Sequence, residues 1–210
     1  MSFNHLNLSS ALLNALTDQK YSKPFPIQEK AIPAILKNKD VLGIAQTGSG
    51  KTASYVLPIL QQLLGDTETK NRHVKSLVLV PTRELAIQVQ EVFHQFSNAL
   101  PTRIKSLAVY GGVSINPQMM AMQNTHVLVA TPGRLLDLMH KQAVSLSQVQ
   151  FLVFDEADRM LDMGFIIDIQ RILKHVPSAR QTMLFSATFN EEIFTLSKNI
   201  LKDPELIEVD

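Results

Sequence analysis

The 210-residue chain has no cysteine, which excludes disulfide bonds and thiolate metal sites and fits a reducing compartment. It also lacks any apolar run approaching the length that spans a bilayer. Its first residues, Met1-Ser2-Phe3-Asn4-His5, have neither the charged start nor the continuous apolar stretch of an export signal. We therefore expect a soluble, cytoplasmic protein with no membrane partner. Neither sign of charge is in excess: 20 Lys and Arg face 19 Asp and Glu, a formal net charge of +1. Any nucleic acid must then be held by a local patch and by backbone amides, not by a global field. No repeat, low-complexity tract or internal linker divides the chain, and 45% hydrophobic residues are enough for a real core.

What stands out against these absences is an apolar run, Val41-Leu42-Gly43-Ile44, that empties into Ala45-Gln46-Thr47-Gly48-Ser49-Gly50-Lys51-Thr52. A strand followed by a glycine-punctuated loop ending in Lys-Thr is built to hold a triphosphate. Gly48 and Gly50 allow a tight turn whose N–H groups point at phosphate oxygens, and the next helix adds its positive N-terminus. Lys51 is expected to reach the β- and γ-phosphates, and the Thr52 hydroxyl to ligate Mg2+. The general pattern opens with glycine; here Ala45 takes that place and still permits close approach.

Around this loop, strand-like and helix-like segments alternate. Helical spacing predicts helices over 8–16, capped by Ser9 or Ser10; over 27–37, interrupted by Pro33; and over 51–64, bent near Pro58. Residues 65–73 read as a mobile polar connector. Strands are expected at 76–80, 105–109, 126–130, 151–155 and 181–186, with helices at 83–96, 117–123, 133–141, 159–176 and 190–200, and an edge strand within 203–210. Runs such as LVLV, VLVA and FLVF are apolar throughout, as in strands buried on both faces, so the sheet should be mostly parallel and flanked by helices. In such α/β sheets ligands bind beyond the carboxyl ends of the strands, where AQTGSGKT, PTRELA, TPGR, DEAD and SAT all fall.

The run Phe151-Leu152-Val153-Phe154 delivers Asp155 and Glu156 to that rim. Asp155 is expected to hold Mg2+, directly or through water, and Glu156 to orient and deprotonate the attacking water. An acidic pair in this place also suits a helix start. Asp158 stands two residues on, able to meet Ser186-Ala187-Thr188 across neighbouring strand ends and so couple the nucleotide site to a second surface. Ser186 and Thr188 could equally cap the helix that follows.

Asp155-Glu156-Ala157-Asp158, with Pro81-Thr82-Arg83-Glu84-Leu85-Ala86, Thr131-Pro132-Gly133-Arg134 and Ser186-Ala187-Thr188, resembles the DEAD-box RNA helicases in order and spacing over the whole chain. The short start and compact loops are most similar to bacterial, RhlE-type members. The resemblance implies a three-layer RecA-like P-loop NTPase domain over 1–210, with a glutamine-motif segment at 1–37 and an ATP-binding core at 38–210. Lys23, Phe25 and Gln28 would line the nucleotide site. Gln28 would read adenine, and Phe3, seventeen positions before Lys20, would stack near the base. A side-chain amide pairs with adenine bidentately and rejects guanine, so ATP is the implied nucleotide. Lys20 and Phe25 depart from the family, which usually has Gly and a Thr or Ser there; the hydroxyl lost at Phe25 removes one contact to the phosphate loop. Pro81, Thr82, Arg83, Gly111, Gly112, Thr131, Pro132, Gly133 and Arg134 would face RNA. Backbone N–H groups and charges of this kind recognise phosphates without a base code. As isolated pieces they also read as turns and caps, with Arg134 a solvated charge.

Members of the family carry a second domain of the same fold that supplies arginine fingers, and nothing after Thr188 resembles it. The expected partners are therefore RNA and that second RecA-like domain, with this fragment monomeric and turning over slowly by itself. One rival reading, an ATP-gated RNA clamp, uses the same motifs; a second, a DNA-acting translocase or a different P-loop ATPase, has the DEAD string and the Gln28 segment against it.

Overall fold

The apolar runs become seven strands: β1 (Val41–Ile44), β2 (Ser76–Leu79), β3 (Ser106–Val109), β4 (Val127–Ala130), β5 (Phe151–Phe154), β6 (Gln181–Ser186) and β7 (Glu205–Glu208). The computed structural model describes residues 2–66, 68 and 71–209, and among these the strands form one sheet, parallel throughout, in the order β3-β4-β2-β5-β6-β1-β7. Successive side chains of a strand go to opposite faces, and here both faces are apolar. Val78, Val129, Val153, Met183 and Phe185 join one core, while Leu77, Leu79, Leu128, Leu152, Phe154 and Leu184 join the other. That double burial is why the strands show no polar alternation.

On the first face lie α1 (Ser10–Asp18), α2 (Pro26–Leu36), α3 (Lys51–Leu63) and α4 (Arg83–Ser97). The second is covered by α5 (Ile115–Ala121), α6 (Pro132–His140), α7 (Ala157–Asp162), α8 (Ile166–Leu173) and α9 (Glu191–Ile200). No helix among the described residues is long and apolar enough to cross a membrane. The sheet and its two helical layers are the α/β architecture expected, and β7 is the expected edge strand, paired with β1.

Four local expectations need correction or extension. Pro33 does not interrupt α2, because Ile27, Ala31, Ile32 and Ile35 are buried on either side of it and their packing outweighs the one backbone hydrogen bond that proline removes. The single helix expected over 159–176 is two helices. Gly164, at φ 78°, ends α7: its N–H donates to the Leu161 carbonyl, and the N–H of Phe165 to that of Met160, the paired bonds of a Schellman cap. Phe3–Leu6 form an unanticipated 3-10 turn. Part of the connector at 65–73, namely Thr67, Thr69 and Lys70, lies outside the described residues. Asp66 in it is fastened, pairing with the buried Lys75 and accepting from Gln150 Nε2 at 2.9 Å.

Candidate active site

Strand order decides which loops meet. Because β6 lies between β1 and β5, the phosphate loop, Ser186-Ala187-Thr188 and the acid pair leave three adjacent strand ends. A backbone bond from the Ala45 N–H to the Ser186 carbonyl, 3.0 Å, closes the seam between two of them.

Within the loop, Gly48 and Gly50 take φ of 85° and 86°. At Gly50 a Cβ would fall 2.5 Å from Gln28 Nε2 and 2.8 Å from the Phe25 ring, so a side chain is excluded by space as well as by backbone conformation. Gln28, wholly buried, donates from Nε2 to the Gly50 carbonyl at 3.1 Å and accepts the Phe25 N–H on Oε1 at 2.9 Å. Its amide fastens the segment before α2 to the loop. One donor hydrogen and one acceptor position of the amide are not used by these two bonds.

The ammonium of Lys51, only 7% exposed, donates to the Ala45 carbonyl at 2.6 Å. Among the described residues no carboxylate forms an ion pair with it. The Ser49 hydroxyl is buried without a hydrogen-bond partner. A buried cation in no direct ion pair among the described residues and an orphaned hydroxyl in one glycine loop are the unmet demands that a phosphate group satisfies. These residues therefore fit a nucleotide phosphate.

Asp155 is 2% exposed. Its Oδ1 accepts the Glu156 N–H at 3.0 Å and its Oδ2 the Tyr55 hydroxyl at 2.7 Å. Burial pushes the Asp155 carboxyl above its ordinary value, against the pull of the Tyr55 hydrogen bond and the Lys51 charge. The Tyr55 phenol is pushed well up too, by burial first and then by the Asp155 charge. Glu156 sits in the left-handed region at φ 52°, ψ 51°, a conformation that costs a non-glycine residue about 1 kcal/mol or more and recurs at functional sites. Its carboxylate accepts from Arg159 at 3.4 Å. No group of three or more His, Asp or Glu able to hold a metal occurs among the described residues. Asp155 with the half-exposed Thr52 is instead the sparse donor set that suits Mg2+, an ion that keeps waters and takes phosphate oxygens.

Asp158 reaches the neighbouring strand end. Its Oδ2 accepts the N–H groups of Ala187 (3.2 Å) and Thr188 (3.1 Å) and the Thr188 hydroxyl (3.1 Å). Ser186 Oγ donates to the Thr188 carbonyl at 2.8 Å. Neither residue caps α9; Asn190 does, accepting from the Ile193 N–H at 2.9 Å.

The other half of the rim comes from β3, β4 and β2. Pro81 is buried, Thr82 Oγ1 caps α4 by accepting the Leu85 N–H at 3.3 Å, and the exposed Arg83 lies over the Tyr110 ring, 5.0 Å from its centroid. A Cβ placed on Gly111, Gly112 or Gly133 would meet nothing within 4 Å, so all three border open space, with Gly112 at φ 79°. Thr131 precedes α6 without using its side chain as a cap, and Pro132 takes the first turn. Arg134 is no solvated charge: 8% exposed, it donates from Nη2 to the Val113 carbonyl at 2.8 Å and lies 3.7 Å from Asp137, while its Nε and Nη1 have no hydrogen-bond partner.

Two further residues expected at the nucleotide differ in exposure. Lys23 is exposed. Phe3 is buried, its ring edge-on to Tyr21 at 6.5 Å, because the 3-10 turn folds it into the core; the half-exposed aromatic of this segment is Tyr21, which also packs on Phe96. Tyr55 is the residue that sequence reasoning missed. Its signal is faint: one hydroxyl inside the apolar stretch Tyr55-Val56-Leu57-Pro58-Ile59-Leu60.

Comparison with known proteins agrees with this geometry. The DEAD/DEAH box helicase family profile matches residues 25–196. The chain is 44% identical over 210 residues to the DEAD-box ATP-dependent RNA helicase CshA of Streptococcus pneumoniae, covering all of this chain and 39% of that protein. It is 45% identical over 208 residues to the ATP-dependent RNA helicase DeaD of Escherichia coli, covering 99% of this chain and 32% of that one. The crystal structure of a DEAD box protein from the hyperthermophile Methanococcus jannaschii superposes with a TM-score of 0.91 at 38% identity, over all of this chain and 56% of the other. The chain thus spans well under half the length of those two curated relatives. With profile, whole-chain identity and fold in agreement, it belongs to the DEAD/DEAH box helicase family.

Proposed function

We propose that this chain is the ATP-binding half of an RNA helicase, the first of two RecA-like domains, acting in the cytoplasm on RNA without regard to sequence. The observation that carries the reading is the Asp158–Thr188 contact, 3.1 Å between side chains, which joins the helix that follows the acid pair to the neighbouring strand end. Residues 1–37 form the adenine side, with Gln28 at the base, and 38–210 the core. Lys51 and the amides of Gln46 to Thr52 hold the phosphates, Asp155 and Thr52 would hold Mg2+, and Glu156 orients and deprotonates the attacking water. Bound Mg2+ would neutralise charge on the β- and γ-phosphates.

Pro81 to Arg83, Gly111, Gly112 and Thr131 to Arg134 take the RNA backbone through N–H groups and two guanidinium charges. Closure of a second RecA-like domain over both sites supplies the missing arginine and bends the strand, which opens a duplex locally. The fraction of CshA covered, 39%, leaves room for that domain. This fragment is then monomeric and nearly inactive by itself.

The test uses the two-domain protein with a short RNA duplex, a DNA duplex of the same sequence and ATP. ATP-dependent separation of the RNA duplex, with hydrolysis stimulated by RNA and not by DNA, is expected. Retention on single-stranded RNA without separation would make the protein a clamp, and equal stimulation by DNA would overturn the choice of substrate.

A further inference from the structure

Phe93 and Phe185 flank Tyr55, with ring centroids 6.4 and 5.4 Å away, and all three rings are wholly buried. Phenylalanine would fill the same space, so packing does not explain the hydroxyl. What it does is donate to Asp155 Oδ2 at 2.7 Å. The carboxylate it touches is the one read above as holding Mg2+. Tyr55 also lies one helical turn beyond Lys51 on the same helix, α3. One hydroxyl therefore ties the helix that begins at the phosphate loop to the carboxylate at the end of β5.

We propose that Tyr55 is a positioning residue for the metal side of the site. Its hydroxyl and the Glu156 N–H take one acceptor position on each Asp155 oxygen, which fixes the plane of the carboxylate and leaves its remaining positions for Mg2+ or a Mg2+-bound water. The assignment rests on the reading of Asp155 as the Mg2+ carboxylate. It adds a residue that touches neither nucleotide nor metal and acts only through Asp155.

The test is Mg2+-dependent binding of a fluorescent ADP derivative to the chain, wild type against Tyr55→Phe, a change that keeps the ring and its packing. In the variant the Mg2+ concentration for half-maximal binding should rise about tenfold, as when an outer partner of a metal ligand is lost, with affinity in EDTA kept within roughly twofold. On an Asp155→Ala background the same substitution should change nothing. Superimposed Mg2+ curves overturn the proposal, and so does an equal loss of metal-free affinity, which a disturbed core would produce. A second readout is tyrosine emission, available because the chain has three tyrosines and no tryptophan. Mg2+ with ADP should alter it in the wild type and leave Tyr55→Phe unchanged; an identical response in both overturns the proposal. If the wild type binds no adenine nucleotide, the nucleotide-site reading itself fails and takes this one with it.

Discussion

The Tyr55 hydroxyl donates to Asp155 Oδ2 at 2.7 Å across a sequence separation of 100 residues. The bond is formed where both partners are cut off from solvent. It partly offsets the desolvation of a carboxylate whose burial still raises it above its ordinary value.

Replacing Asp155 by Asn should consequently stabilise the fold while ending metal-dependent chemistry. The amide oxygen can accept the Glu156 N–H while its NH2 donates to the Tyr55 hydroxyl oxygen, and no charge is buried. The sign follows from linkage: a carboxyl raised in the folded state binds its proton more tightly there, so the wild type loses stability as pH rises from the unfolded value through the raised one. The variant should not show that loss. Thermal melts at a series of pH values check this, with the variant higher near neutrality by about 3 °C for each kcal/mol relieved. A lower melting temperature at every pH would show that the charge is compensated.

Gly50 is held by two requirements, a φ of 86° and contact with Gln28 and Phe25, whereas Gly48 at φ 85° has open space around it. Gly50→Ala should cost about 2 kcal/mol or more and break the Gln28 bond, while Gly48→Ala should cost only the backbone strain, about 1 kcal/mol. Equilibrium unfolding gives both values. Binding of adenine nucleotide should weaken far more in the first variant than in the second.

Asp158 accepts three bonds from Ala187 and Thr188 and none from the phosphate loop. Asp158→Ala should leave nucleotide binding by the chain within roughly threefold but, in the two-domain protein, lower the duplex separated per ATP hydrolysed by about tenfold, the scale of a coupling energy of 1–2 kcal/mol. Measuring both yields on one preparation separates coupling from catalysis. A parallel fall in the two would place Asp158 in the chemistry.

Much of this was legible in the chain. Strands buried between two helical layers write themselves as apolar runs, and the six strands so marked, β1 to β6, sit within a residue of where the runs predict. The break at Gly164 was hidden because helical periodicity persists on both sides of it, and only the glycine carries the cap. The family resemblance alone puts Phe3 near the base; that its ring is buried depends on the 3-10 turn, which leaves no periodic mark. Arg134 reads as a surface charge until Val113 and Asp137 are brought to it. Tyr55 was silent for the same reason: its meaning depends on α3 and the end of β5 meeting, a fact of strand order that no local pattern encodes.

RNA-stimulated ATP hydrolysis by the two-domain protein carrying Lys51→Ala or Glu156→Gln tests the proposed roles of the nucleotide site most directly. Both substitutions should reduce the stimulated rate by a factor of about a hundred or more, the scale on which a positioned base or a phosphate-stabilising charge acts, with Glu156→Gln still binding ATP. Stimulated hydrolysis at the wild-type rate in either variant would contradict the account.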